Sequence, residues 1–176
     1  MRAGPPPVGR AHCDAGPDTT AAKAEIEGAG SFVLGRSQVN RIGYGAMQLA
    51  GDNVFGPPRD RDEALRVLRT AIDSGINHID TAQYYGPGVV NELIRESLYP
   101  YPTDLAIVSK VAARRDDAGA VLAYDEPDQL RAGIEENREA LGLEPSMARR
   151  FTTASRSRPR VSRLSSMPAR SWFGSS

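Results

Sequence analysis

Between residues 31 and 142, short apolar runs alternate with amphipathic segments that carry their own start and stop signals. This alternation leaves few architectures open. Asp60, with Glu63 three residues on, is a capping box, and Ala64, Leu65, Leu68, Ala71 and Ile72 recur at helical spacing until Gly75 supplies a stop. Residues 76–82 read as a short apolar strand, 83–88 as a Gly/Pro loop and 89–98 as a second amphipathic helix, ended ahead of Pro100 and Pro102. The continuous apolar run at 105–111 is a buried strand. After a polar loop, Asp125 or Glu126 caps a third helix with Pro127 in its first turn; Leu130, Ile134 and Leu141 line one face and Gly142 closes it. The order β-α-β-α-β-α predicts a parallel sheet with right-handed crossovers, in a barrel or a doubly wound fold.

The flanks read differently. Residues 31–35 form a short strand, 36–38 a turn and 39–49 a second extended stretch, so a hairpin leads into the first core strand. Residues 1–29 are rich in Pro, Gly and Ala without an apolar period, and are expected to be a disordered arm. Past Leu143 the patterning fails as well. All 22 acidic residues and 15 of the 22 basic ones precede Pro145, leaving seven arginines and no acid at 145–176, from which no buried parallel strand is expected. The chain's 176 residues also fall short of the ~250 of a full (β/α)8 barrel.

Composition excludes several classes. Cys13 is the only cysteine and His12 and His78 the only histidines, which rules out a disulfide framework and gives no zinc spacing; no metal is expected. No apolar run approaches a membrane span and the opening residues lack a signal-like stretch, so a cytoplasmic location is the default. Gly43-Tyr44-Gly45 lacks the third glycine of a dinucleotide fingerprint.

Asp80, Tyr85 and Lys110 fall at or just beyond the C-terminal ends of successive strands, the end at which such folds build active sites. The three side-chain types suit carbonyl reduction, which needs a hydride at carbon and a proton at oxygen. A tyrosine can give that proton once a nearby ammonium stabilises its phenolate, and a carboxylate keeps the lysine charged and in place. Tyr84 reads as a packing residue, and His78, two positions before Asp80, as an interior filler.

The run Gly75-Ile76-Asn77-His78-Ile79-Asp80-Thr81-Ala82, with Tyr85-Gly86, Asn91-Glu92-Leu93 and Ser109-Lys110, resembles the aldo-keto reductase family from about Val39 to Leu143. The resemblance implies an α/β fold: a partial TIM (β/α)8 barrel at residues 30–144, with an N-terminal β-hairpin and about three βα units, flanked by disordered tails. It implies NADP(H)-dependent reduction of an aldehyde or ketone to an alcohol, with Asp80, Tyr85 and Lys110 catalytic. Backbone around Gly45, Ala46 and Met47, together with Asp80, would meet the nicotinamide end of the cofactor. The family's fourth member, a histidine at the end of the fourth strand, has no counterpart, since no histidine follows His78.

Truncation or a change of reading frame near Glu144 would account for the altered composition, which sequencing of the locus decides. The expected product is then an impaired enzyme acting on a small carbonyl compound. The alternative is a non-catalytic fragment that self-associates through an exposed strand edge or binds polyanions through its basic tail. The tail has few aromatics, Phe151, Trp172 and Phe173, and no repeated motif, so passive disorder is favoured over nucleic-acid binding.

Overall fold

A computed structural model describes residues 18–143 and the backbone of residues 151–155. Its elements run α1 (Thr19–Gly28), β1 (Ser31–Leu34), β2 (Ser37–Asn40), β3 (Tyr44–Gly45), two short 3-10 turns, α2 (Arg61–Asp73), β4 (His78–Asp80), α3 (Val89–Leu98), β5 (Ala106–Arg115), β6 (Val121–Tyr124), α4 (Pro127–Ala140) and β7 (Phe151–Ser155).

β3, β4, β5 and β7 are parallel neighbours in that order. Each strand lies beside the one that precedes it in the parallel series, with α2, α3 and α4 as the successive crossovers. The order advances in one direction from β3 to β7, as it does around a barrel.

α2 starts where Asp60 accepts a hydrogen bond from the Glu63 backbone N–H at 2.9 Å, and it turns Ala64, Leu65, Leu68 and Ala71 inward. α3 contributes Val90, Leu93, Ile94 and Leu98 to the same core, where they meet Ile79 of β4 and Ile107 of β5. Ile79 and Ile107 are paired residues, so both face the helices. Period-two alternation then sends His78, Asp80, Val108 and Lys110 to the opposite, concave side.

The β1–β2 hairpin is a separate two-stranded sheet. It is tied to the turn before β4, for Asn40 N–H donates to Asn77 Oδ1 and Asn40 Nδ2 to the Gly75 carbonyl, both at 2.8 Å. His78 lies between hairpin and sheet, its ring edge-on to Phe32 at 6.1 Å and so close to Gly43 that a Cβ there would come within 2.0 Å of the imidazole.

Three expectations are corrected. Within the arm expected to be disordered, Thr19–Gly28 is helical: Asp18 caps Thr20 and Ala21 at 3.1 and 3.3 Å, and Ala, Glu and Lys favour helix without any apolar stripe, Ile26 alone being buried. The polar loop after β5 is a hairpin. From Ala112, at φ +81°, β5 leaves its parallel partners and pairs antiparallel with β6 around a turn in which Asp116 accepts from Ala118 and Ala120. Finally, β7 pairs parallel with β5 from Ile107↔Phe151 to Val111↔Ser155, inside the segment expected to hold no strand. Its Thr-Thr pair carries the β-branched character that the arginine content obscured. Of the tails expected at residues 1–29 and 145–176, residues 1–17, 145–150 and 156–176 lie outside the described residues.

Candidate active site

Asp80 is the last residue of β4, and Lys110, five residues into β5, faces the same concave side. Lys110 Nζ donates to Asp80 Oδ1 in a close ion pair and to the Thr81 carbonyl at 3.1 Å. The lysine side chain is 18 % exposed and the carboxylate 49 %, so the pair is open to solvent chiefly on the Asp80 side.

Tyr85 completes the cluster, for its ring centre lies 5.2 Å from Lys110 Nζ. The loop is built to hold it there. Tyr85 N–H donates to the Ala82 carbonyl at 3.1 Å, and Gly86, at φ +67°, donates to the Val54 carbonyl at 3.1 Å; a Cβ on Gly86 would stand 2.8 Å from the Gly56 carbonyl oxygen. Only glycine accepts both the conformation and the approach. Tyr85 is 8 % exposed, with Tyr84 edge-on at 5.4 Å.

Burial works to lower the Lys110 pKa, but hydrogen bonding to Asp80 and to Tyr85 more than offsets it, so the amine is held above its ordinary range. It is therefore an ammonium throughout the neutral range. His78 behaves oppositely. Burial draws its pKa down, only partly countered by Asp80, and its Nδ1 is buried with no hydrogen-bond partner among the described residues.

The other expected positions lie nearby. Gly45 pairs in register with Asp80, and a Cβ on it would meet nothing within 4 Å among the described residues. Ala46 is fully buried and Met47 is 40 % exposed. Among the described residues, no group of three or more His, Cys, Asp or Glu is placed to hold a metal ion. A cleft of 350 Å³ lined by Gln83, Gly88, Arg114, Arg115 and Glu136 lies beside the Tyr84 loop, away from Asp80 and Lys110.

Sequence reasoning gave no part to the layer behind the cluster. Thr81, Asn91, Ser109 and Asn137 are completely buried. Thr81 Oγ1 donates to Asn91 Oδ1 at 2.9 Å, Asn91 Nδ2 to Asn137 Oδ1 at 2.9 Å, Ser109 Oγ to Asn137 Oδ1 at 2.5 Å, and Asn137 Nδ2 to the Gly133 carbonyl at 2.7 Å. Asn137 follows Leu130 and Ile134 by seven and three residues, so its place in the buried stripe of α4 was the available signal.

The arc of parallel strands thus carries a carboxylate, an ammonium and a phenol side by side. Residues 41–146 match the sequence profile of the Aldo/keto reductase family, and the chain belongs to that family. It is 54% identical over 114 residues to pyridoxine 4-dehydrogenase of Escherichia coli K12, covering 65% of this chain and 40% of that protein. Identity to D-threo-aldose 1-dehydrogenase of a Pseudomonas species is 35% over 123 residues, 58% of this chain and 36% of the relative. Among solved structures, glycerol dehydrogenase from Gluconobacter oxydans superposes with a TM-score of 0.55 at 27% identity, covering 65% of this chain and 36% of that one. The chain thus spans 26–40% of the length of the curated relatives it matches.

Proposed function

We propose that the chain carries the proton-donating part of an NADP(H)-dependent site that reduces an aldehyde or ketone to an alcohol in the cytoplasm. The observation that carries this reading is the Lys110 ammonium, held by Asp80 and set against Tyr85 on the open concave face. Tyr85 donates its phenolic proton to the carbonyl oxygen of the substrate. Lys110 stabilises the phenolate left behind, and Asp80 holds Lys110 charged and in place. Bound NADP(H) would supply the hydride; Asp80 and the backbone at Gly45, Ala46 and Met47 would hold its nicotinamide end, where the space above Gly45 is open.

Pyridoxine, an aldose and glycerol, which appear in the names of the relatives, are all small hydroxylated molecules. A small polar aldehyde, or its alcohol in the reverse direction, is the substrate class. Titration of the full chain into NADPH, followed by fluorescence, and aldehyde-dependent loss of NADPH absorbance test the reading together. Binding with turnover supports it. Absence of both leaves a non-catalytic member of the family, one that associates through a strand edge or binds polyanions.

A further inference from the structure

The two charged residues of the cluster each have a buried hydroxyl as chain neighbour: Thr81 follows Asp80 and Ser109 precedes Lys110. Both hydroxyls face the helices, while the charged side chains face the concave side. We propose that Asn137, with Asn91, Thr81 and Ser109, forms a positioning frame behind the sheet that sets how closely Lys110 approaches Asp80 and Tyr85. The proposal rests on the reading of that cluster as the proton-donating site.

Hydrogen-bond direction makes the frame specific. Asn137 Oδ1 accepts from both Ser109 and Asn91, so its amide nitrogen is turned to the Gly133 carbonyl on α4 itself. Asn91 in turn presents its oxygen to Thr81. One amide on α4 therefore ties β5 directly and β4 through a single relay on α3. Thr81 belongs to both sides: its hydroxyl enters the frame, its N–H donates to the Val108 carbonyl at 2.7 Å, and its carbonyl accepts from Lys110 Nζ at 3.1 Å. Movement of Thr81 changes the position of a lysine acceptor directly. Buried polar groups are costly when unpaired, so the frame has one satisfied arrangement and resists sliding of β4 against β5.

The chain contains only two lysines, Lys23 on α1 and Lys110, so amine labelling reads the site with an internal reference. The full chain is trace-labelled with acetic anhydride across the alkaline range, and the two lysines are separated by peptide mass spectrometry. Thr81→Val keeps the shape but removes the hydroxyl, and is expected to raise Lys110 labelling relative to Lys23 by about tenfold, the effect of one buried hydrogen bond. Thr81→Ser keeps the donor and is expected to retain the parent ratio. Ser109→Ala, which takes one of two donors from Asn137, is expected to move the ratio in the same direction and serves if Thr81→Val does not fold.

A frame that only packs helices would lose stability in these variants while the labelling ratio of the folded protein stayed at the parent value, and that result overturns the proposal. So does a shift in Thr81→Ser equal to that in Thr81→Val. Labelling needs neither cofactor nor substrate. An altered ratio in a chain that does not turn over would sustain the frame and reject the proposed function; turnover with an unchanged ratio would do the reverse.

Discussion

His78 shows how a single side chain can be legible in position and not in consequence. Its register two residues before Asp80 placed it on the concave face as a filler, which is where it lies, against Phe32 and Gly43. What the register could not give is a buried Nδ1 with no partner among the described residues. A proton there must enter a site poor in acceptors, so the folded state binds it less readily than the unfolded one. The stabilising contribution is present above the ordinary histidine range, near 6.5, and is lost as pH falls through the lowered folded value. Urea midpoints measured between pH 8 and 4 should fall with acid, and His78→Leu should remove the part of that fall attributable to imidazole. Identical pH dependence in the two proteins would contradict the assignment. The positions of the cluster residues were legible for a simpler reason: Asp80 and Lys110 lie on strands that can be read from apolar runs, and Tyr85 is followed by Gly86 at the spacing of the family the sequence resembles. Asn91, Ser109 and Asn137 were not, because polar residues in apolar stripes reveal burial only once a partner on another element is known.

Elements with local signals were read close to their true bounds. α2, α3 and α4 combine an apolar face with caps or glycine and proline stops, each of which acts within a few residues. The Asp60 cap is the plainest of these: Asp60→Ala should cost about 1 kcal/mol in global stability by chemical denaturation. An unchanged midpoint would show that the first turn of α2 needs no cap. α1, β6 and β7 were missed where such signals are weak or mixed. α1 relies on alanine-rich propensity and one buried isoleucine, and β6 exists because Ala112 redirects β5 into a hairpin whose Val121 and Leu122 remain exposed. β7 depends on a distant partner, a non-local pairing that sequence composition does not show. Successive N–H groups on a strand point to opposite edges, so one of Thr152→Pro and Thr153→Pro must delete a ladder bond to β5. That variant should accelerate amide exchange across residues 107–111. If neither does, β7 does not pair with β5 in solution.

At the scale of the whole molecule, the described residues form an arc of barrel with α2, α3 and α4 on one face of the sheet, Asp80 and Lys110 on the other, and Tyr85 against Lys110. Alternation of strand and helix predicted the parallel sheet, and the family match, with a strand order that advances in one direction, separated barrel from doubly wound sheet. The core beneath α2 and α3 and the buried amides behind β4 and β5 hold the two central strands in one register, and Asp80 and Lys110 meet because of it. The central claim is that this meeting makes Tyr85 a proton donor. Tyr85→Phe removes one oxygen from a buried ring and should leave the fold and NADPH binding intact. With saturating NADPH and an aldehyde, the single-turnover rate of the full chain should drop by about 10² or more in Tyr85→Phe, the usual contribution of a positioned general acid. Equal rates in the parent and the variant would contradict the account.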